Sequence, residues 1–373
     1  MKEAKKAVSR RKFLGGAAMA GAATLAMPEV SRAETVTIKM QGAWGAGDIF
    51  NDYATQLVDI INDLGGSRLK MEYLLAGSVV KTNEVQDAVS NGVLDAGHLV
   101  PAYWYGKNRA ASLFGTGPCF GWDTHGVLAW FYGPGKDLYK ELTQNILGLN
   151  IVGWFHMPQS PQPLGWFNKP INSIDDMKNL KYRTVGLAAN VMQELGAKVT
   201  QLPGGEIVPA MQKHVIEAFE YSNPTSDYRF GAADVAKYYM LGSYHQANEC
   251  LEFEMNKTKW DSMAKEQQAI INHAVQAANS TNLWLAYSSY AEYLQKIIQA
   301  GVTVKRTPTS VLQAQLDAWD KVVEQYGKDP FFAKVVKRQH DWAQDKAYCH
   351  IMMDNDFALA YTHYYGKDHP LSL

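Results

Sequence analysis

Residues 181–221 read KYRTVGLAANVMQELGAKVTQLPGGEIVPAMQKHVIEAFEY, and this segment decides the fold. A short run that ends at Arg183 has the character of a strand, and a small-residue turn and a helical stretch follow it. A second apolar run, residues 215–219, ends at Glu220. This spacing predicts one βαβ unit, with Arg183 and Glu220 at the carboxyl ends of neighbouring parallel strands, where open α/β sheets bind their ligands.

The chemistry of this pair suits an anionic ligand. A guanidinium beside a helix N-terminus can hold a carboxylate by two parallel hydrogen bonds in a fixed orientation. A carboxylate at the same mouth adds an oxygen ligand for a metal ion. The alternative is that Arg183 and Glu220 form an ion pair with a structural role alone.

The preceding part of the chain predicts a second α/β unit. Residues 35–40 alternate as a strand, residues 48–64 have helical spacing, and residues 68–75 form the next strand. A helix over 82–90 and a strand over 93–98 complete a β-α-β-α-β order. This order predicts a mostly parallel sheet flanked by helices.

A short similarity between two parts of the sequence predicts two lobes. Residues 87–96 and 209–218 share a helix end, a turn and a short apolar strand with an acidic residue. His214 stands where the first copy has Gly92, and both positions suit a left-handed helix cap. Beyond about residue 255 the pattern is almost entirely helical, and residues 331 to about 365 predict one long final helix.

The first 33 residues have the form of an export signal. Arg10 and Arg11 stand in the SRRKFL sequence of a twin-arginine signal, a Gly/Ala-rich run follows, and residues 31–33 (SRA) fit a signal peptidase. A disordered basic tail and an uncleaved anchor are the alternatives. Cleavage leaves 29 basic and 35 acidic residues, a net charge of −6, which argues against nucleic acid or an anionic membrane surface as partner.

Motifs of enzymes and of metal clusters are missing from the sequence. It contains no nucleophile elbow, no HExxH pair, no phosphate loop and no dinucleotide fingerprint with its acidic partner. The three cysteines (Cys119, Cys250 and Cys349) have no paired spacing, so a zinc site or a disulfide scaffold is not expected. The sequence therefore favours a binding protein over an exported enzyme.

Several segments in order along the chain carry a family resemblance. Besides residues 181–221 these are 83–95, 101–108 (PAYWYGKN), 118–123 (PCFGWD), 162–167 (QPLGWF) and 234–246, which ends in YHQ. Together they resemble the periplasmic substrate-binding subunits of TRAP (tripartite, ATP-independent) transporters, and within them the branch for 2-oxo acids such as pyruvate or for lactate. The resemblance implies an α/β fold of two lobes, each a mixed, mostly parallel sheet flanked by helices, with a long helical C-terminal region.

The resemblance also implies how the chain is divided. Residues 34–157 and about 247–300 form the first lobe, and residues 158–246 and about 301–330 form the second. A C-terminal helix over 331–373 packs across the lobes or on a partner subunit, which suggests a homodimer. The implied protein is not an enzyme. It lies in the periplasm after Tat export, binds a small carboxylate in the cleft and docks on membrane permease subunits.

The resemblance assigns roles to individual residues. Arg183 is the carboxylate anchor, and Tyr103 is a first-lobe contact. A Na⁺ or Ca²⁺ ion bridges ligand and protein through Gln162, Glu220 and the backbone of Tyr221, because hard cations prefer oxygen ligands. Gln162 could instead satisfy a hinge backbone group, and Tyr103 could be cleft wall only.

Two positions depart from the family pattern. Tyr221 replaces a tryptophan, and Gln246 stands where a further glutamate ligand is expected. The lost negative charge favours Na⁺, or no metal, over Ca²⁺, and Glu249 is not expected to substitute. A receptor that reports occupancy to a membrane sensor, without a permease, remains the alternative function.

Overall fold

The computed structural model describes residues 35–371, which contain two β-sheets flanked by helices. Sheet 1 has the strand order β2-β1-β3-β10-β4. The β1–β2 and β1–β3 pairs are parallel, and β10 pairs antiparallel with both β3 and β4. Its strands are β1 (Val36–Gly42), β2 (Leu69–Leu74), β3 (Ala96–Leu99), β4 (Ile151–Gln159) and β10 (Glu249–Asn256).

Sheet 2 has the strand order β11-β9-β5-β8-β6-β7. Three of its pairs are parallel, and β5 runs antiparallel to β8 and β9. Its strands are β5 (Gly165–Phe167), β6 (Lys181–Arg183), β7 (Lys198–Thr200), β8 (Ala218–Phe219), β9 (Tyr238–Leu241) and β11 (Thr303–Arg306). Both sheets are therefore mixed, as predicted for a two-lobed α/β protein. We call the elements packed on sheet 1 the first lobe and those on sheet 2 the second lobe.

The helices cover both sheets, and they are α1 (Ile49–Gly65), α2 (Val85–Ser90), α3 (Thr124–Trp130), α4 (Lys136–Lys140), α5 (Ala188–Glu194), α6 (Ile207–Gln212), α7 (Pro224–Arg229), α8 (Ala232–Val235), α9 (Lys257–Ser262), α10 (Lys265–Gln299), α11 (Thr309–Tyr326), α12 (Pro330–Met353) and α13 (Phe357–Tyr365). The predicted caps are present, since Gly92 has φ 75° and His214 has φ 57°. The similarity between residues 87–96 and 209–218 therefore corresponds to two helix ends with the same left-handed turn.

The register of sheet 2 explains why residues 181–221 form a site. Strands β6 and β8 are parallel neighbours, and Arg183 pairs with Phe219. The amide of Glu220 donates to the carbonyl of Arg183 at 3.2 Å, one step beyond the end of β8. Both residues therefore lie at the carboxyl edge of sheet 2, as predicted.

The chain crosses between the sheets in residues 160–164, in residues 242–248 and along α10. The first two segments touch each other, because the amide of Gln162 donates to the carbonyl of Gln246 at 3.0 Å. Helix α10 buries Ile271 with the core of sheet 1 and Ile297 with that of sheet 2. The domain boundaries given from the sequence stay a prediction.

The C-terminal region differs from the single helix expected over 331–365. It consists of α12 and α13, separated at residues 354–356. Asp354 has an extended conformation at the end of α12, and the Asp356 side chain accepts a hydrogen bond from the amide of Leu359 at the start of α13. Asp356 therefore caps a second helix, so the predicted long C-terminal helix is present as α12 and the shorter α13 follows the break.

Two remaining expectations concern the cysteines and the membrane. Cys119, Cys250 and Cys349 are all free. Within residues 35–371 no helix combines the length and the apolar character that crossing a bilayer requires. The predicted twin-arginine signal lies outside the described residues.

Candidate functional site

Arg183 is held rigidly at the end of β6. Its side chain is 1% exposed. Its Nε donates to the carbonyl of Leu202 at 2.9 Å, and its Nη1 donates to the backbone carbonyl and to Oε1 of Glu220, at 2.8 and 3.0 Å. These bonds use Nε and Nη1, which leaves Nη2 as the nitrogen that can serve a ligand. The guanidinium is thus fixed before any ligand arrives.

Glu220 neutralises Arg183 from behind. The pair is the buried ion pair that the sequence offered as an alternative, with both side chains almost fully buried. Glu220 Oε2 is buried and has no hydrogen-bond partner among the described residues. His245 Nε2, also buried and without such a partner, lies 4.0 Å from it. The site therefore contains an uncompensated acceptor beside its main cation.

A small cavity lies in front of Arg183, between the lobes. Its volume is about 20 Å³, which is room for about one water molecule in the closed arrangement. Both apolar and polar side chains form its wall. It is lined by Trp44, Phe50, Val100, Tyr103, Gln162, Arg183, Val185, Tyr221, Gln246 and Glu249.

The structure brings most of the predicted site residues together. Arg183, Gln162, Tyr221, Tyr103 and Gln246 all line this cavity. Glu220 is not a wall residue, since it is fully buried behind Arg183. The functional roles of these residues stay predictions, and the structure supplies their proximity.

Gln162 and Gln246 reach the cavity because they lie on the two crossing segments. The amide nitrogen of Gln162 donates to Glu249 Oε2 at 2.6 Å, and its Oε1 is buried without a partner among residues 35–371. Gln246 Oε1 accepts from the Thr116 hydroxyl at 3.4 Å, which leaves its Nε2 buried and unpaired within the same residues. Both amides therefore carry free hydrogen-bonding capacity.

Glu249 belongs to the site although it was not expected to. It begins β10, lines the cavity and is 4% exposed. Burial raises the pKa of its carboxyl to about 8. Its position three residues after Gln246 was the only signal in the sequence, because its partner Gln162 is 87 residues away.

Oxygen atoms at this site fit a hard cation. Gln162 Oε1 and Glu220 Oε2 are buried acceptors without partners in the described part of the chain. The described residues contain no group of three or more His, Cys, Asp or Glu side chains arranged for a metal. An ion here would therefore rely on amide and backbone oxygens as well as carboxylates, which suits Na⁺ or Ca²⁺ better than a transition metal.

Trp44 and Phe50 belong to the aromatic wall of the cavity, although the sequence motifs did not single them out. Trp44 packs against Tyr103 with ring centroids 6.2 Å apart, and its indole nitrogen donates to His98 Nδ1 at 2.6 Å. His98 in turn contacts His156 at 2.9 Å. Trp44 lies in a glycine-rich turn after β1, so only the folded chain shows that it faces the cleft.

The buried acids predict a pH-dependent stability. Burial raises the pKa of Glu249 from 4.5 to about 8 and that of Asp227 from 3.8 to about 7. The folded state thus keeps protons that the unfolded state has released, and stability is lost as the pH rises through this window. Burial lowers the pKa of His98 and His156 below 6.5, so their opposite contribution to the pH dependence fades as the pH rises above that value.

We therefore expect the melting temperature of the ligand-free protein to fall between pH 6.5 and 8. Each proton contributes a slope of at most about 1.4 kcal/mol per pH unit. Calorimetry from pH 5 to 9 in cation-free buffer checks this, and Glu249→Gln should flatten the curve above pH 6.5. A melting temperature that rises over that interval would contradict the assignment.

Comparison with known proteins places the chain in a family. The model of bacterial extracellular solute-binding protein family 7 matches residues 40–329. A monocarboxylate 2-oxoacid-binding periplasmic protein of Nostoc sp. is 30% identical over 280 residues, which are 74% of this chain and 76% of the relative. The family model thus spans both sheets and the cavity between them.

Solved structures of TRAP transporter solute-binding proteins share the fold. One from Bordetella bronchiseptica, a dimer with calcium and picolinate, has a TM-score of 0.83 at 26% identity and covers 89% of this chain and 99% of its own. One from Colwellia psychrerythraea with calcium and pyruvate has 0.80 at 29%, covering 88% and 99%. One from Pseudoalteromonas atlantica with sodium and pyruvate has 0.80 at 27%, covering 88% and 99%.

These matches confirm the predicted family and two-lobed fold, and the family consists of periplasmic solute receptors and not of enzymes. The chain therefore belongs to family 7 of the bacterial extracellular solute-binding proteins, the solute-binding subunits of TRAP transporters.

Proposed function

We propose that this protein binds a small 2-oxo or 2-hydroxy monocarboxylate, such as pyruvate or lactate, between its lobes. The observation that carries the proposal is Arg183, a buried guanidinium that lines the interlobe cavity with Nε and Nη1 already bonded to the protein. Its remaining nitrogen faces a ligand carboxylate without further ordering, and such preorganisation favours binding. The relative from Nostoc and the pyruvate-containing structures support the same ligand class.

The rest of the cavity suits the rest of such a ligand. Phe50, Val100 and Val185 give an apolar wall for a methyl group or a short alkyl chain. The amides of Gln162 and Gln246 can hydrogen-bond a 2-oxo or 2-hydroxy oxygen.

A cation is part of the proposal. Na⁺ or Ca²⁺ would be held by Gln162 Oε1, Glu220 Oε2 and the backbone carbonyl of Tyr221, and it would offset the charge of the ligand carboxylate. Calcium and sodium both occur in the related structures. Gln246 supplies no charge. Burial raises the pKa of Glu249, which favours its neutral, protonated form. The small negative charge of the site therefore favours Na⁺ over Ca²⁺.

Ligand capture then serves transport. The ligand favours the closed arrangement by its differential affinity for that state, and the closed form docks on the membrane permease after Tat export of the chain. A receptor for a membrane sensor is the alternative. Genes for two permease subunits beside this gene would favour transport.

A thermal-shift screen of small carboxylates tests the ligand class. The protein is first unfolded and refolded to remove carried-over ligand, and it is then melted with and without Na⁺ and Ca²⁺. We expect pyruvate or lactate to raise the melting temperature, and more so with the cation present. Stabilisation by uncharged sugars, with none by monocarboxylates, would overturn the proposal.

We also propose a homodimer through the C-terminal region. The end of α12 and helix α13 carry many exposed apolar side chains. Tyr348, Ile351, Met352, Met353, Phe357, Leu359, Tyr364 and Tyr365 are each more than half exposed. Exposed apolar faces of this kind mark protein interfaces, and a second copy supplies an equally apolar face for an isologous contact.

Sedimentation velocity over a hundredfold range of concentration checks the dimer. We expect a dimer for the full chain and a monomer for Phe357→Asp/Leu359→Asp, with unchanged ligand response because the cavity lies elsewhere. Lys367→Asp, on the same segment but outside the apolar face, is the control. A monomeric full chain at the highest concentration would contradict the interface.

A further inference from the structure

Asp48 has bonding partners beyond those of a helix cap. It precedes α1, and its Oδ1 accepts from the amide of Phe50 at 3.1 Å, which is the usual capping bond. Oδ1 also accepts from the hydroxyl of Ser226 at 2.6 Å, and Oδ2 accepts from the hydroxyl of Tyr221 at 2.7 Å. The carboxylate is 8% exposed. Two of its three bonds therefore serve something other than the cap.

Those two bonds cross the cleft. Asp48 lies between β1 and α1 in the first lobe, whereas Tyr221 follows β8 and Ser226 lies in α7, both in the second lobe. An ion pair between Arg229 and Asp52, 2.8 Å long, joins the same two helices nearer the surface. The contact at Asp48 is the buried part of this junction.

The contact between Asp48 and Tyr221 ends at the ligand cavity. Tyr221 lines the cavity, and its ring centroid lies 5.8 Å from the guanidinium carbon of Arg183. Phe50, next to the cap, lies 6.4 Å from the same ring. The Tyr221 ring is thus held between a first-lobe carboxylate at its hydroxyl end and the second-lobe anchor at its face.

We propose that Asp48 is a positioning residue that latches the lobes closed through Tyr221 and Ser226. The bonds exist only while the lobes are together, so they contribute to the closed state and not to the open state. Breaking them lowers the population of the closed state and speeds ligand escape. The nature of the ligand rests on the proposed function, whereas the latch itself rests on contacts within the chain.

Two variants separate the latch from the cap. Asp48→Ser keeps a good helix cap but is too short to reach Tyr221, and Tyr221→Phe removes one hydroxyl and keeps the ring. Tyr132→Phe is the matched control, because its hydroxyl donates to the carbonyl of Phe155 within the first lobe, at 2.8 Å. The readouts are the dissociation rate of pyruvate, followed by tryptophan fluorescence, and the closed fraction from small-angle X-ray scattering with and without pyruvate.

We expect each latch variant to raise the dissociation rate roughly 10-fold, as the loss of a hydrogen bond to a charged group implies. The association rate should change little, and the scattering should shift towards the open form. Asp48→Ser/Tyr221→Phe should be no worse than Asp48→Ser alone, because Asp48→Ser already removes the bond that Tyr221→Phe removes. Tyr132→Phe should leave the dissociation rate and the closed fraction as in the wild type.

The possible results distinguish failure of the proposed function from failure of the latch. If wild-type protein binds no monocarboxylate, the proposed function fails, and the closed fraction of the ligand-free variants still decides the latch. The latch is overturned if neither variant raises the dissociation rate or opens the lobes, or if the two changes are additive. A change of the same size in Tyr132→Phe would also overturn it, since the effect would then be general destabilisation.

Discussion

Replacement of Arg183 by Ala is expected to abolish the thermal response to pyruvate and lactate. The variant removes the only guanidinium among the cavity-lining residues and leaves the buried Glu220 without its counterion. We expect the affinity to fall roughly 100-fold or more, because truncation of a buried charged partner costs about 2–5 kcal/mol in a complex. Isothermal titration calorimetry with the refolded protein measures this loss.

A second variant separates lost binding from lost folding. Arg183→Ala alone is expected to destabilise the protein by about 3–5 kcal/mol, since it breaks a buried ion pair. Arg183→Gln/Glu220→Gln removes both charges and should recover much of that stability. It should still bind no monocarboxylate. Binding by Arg183→Ala, or by the double variant, at wild-type affinity would show that the anchor lies elsewhere.

Gly165→Ala is expected to cost at least roughly 3 kcal/mol of unfolding free energy. Gly165 begins β5 with φ +128°, a conformation that side chains rarely adopt. A Cβ there would lie 2.2 Å from the carbonyl oxygen of Phe219 and 2.9 Å from its carbonyl carbon. Backbone atoms of a paired strand cannot move aside without breaking sheet 2, so chemical denaturation should show the full loss.

Gly205→Ala provides the control for this substitution. Gly205 has no atom within 4 Å of its would-be Cβ, and its φ is not in the left-handed range. Its stability should stay within about 0.5 kcal/mol of the wild type. If Gly165→Ala unfolds at the wild-type denaturant concentration, the close approach of β5 and β8 cannot be as described.

The sequence predicts those site residues whose positions follow from the order of neighbouring strands and helices along the chain. Arg183 and Glu220 end two apolar runs one βαβ unit apart, and parallel pairing of such runs brings their ends together in any fold of this type. The same local reasoning gave the left-handed cap at His214. Short-range chemistry was sufficient for both.

The missed residues depend on pairings between distant segments. Glu249 joins the site through Gln162, and Asp48 through Tyr221, which is 173 residues away. Neither acid has a motif of its own, so the sequence shows two ordinary carboxylates. The break at 354–356 was different, because Asp356 was a visible capping signal that the continuing aromatic pattern concealed.

The place of β10 in sheet 1 has a consequence for how the chain folds. This strand lies between β3 and β4 in the sheet, although in the chain it begins 150 residues after the end of β3 and 90 residues after the end of β4. Until it is made, β3 and β4 each present an open edge, and the first lobe cannot be completed. The first lobe therefore acquires its stability late, in a slow step dominated by long-range pairing. A fragment that ends before residue 249 should remain unfolded and prone to aggregate, however well its helices form.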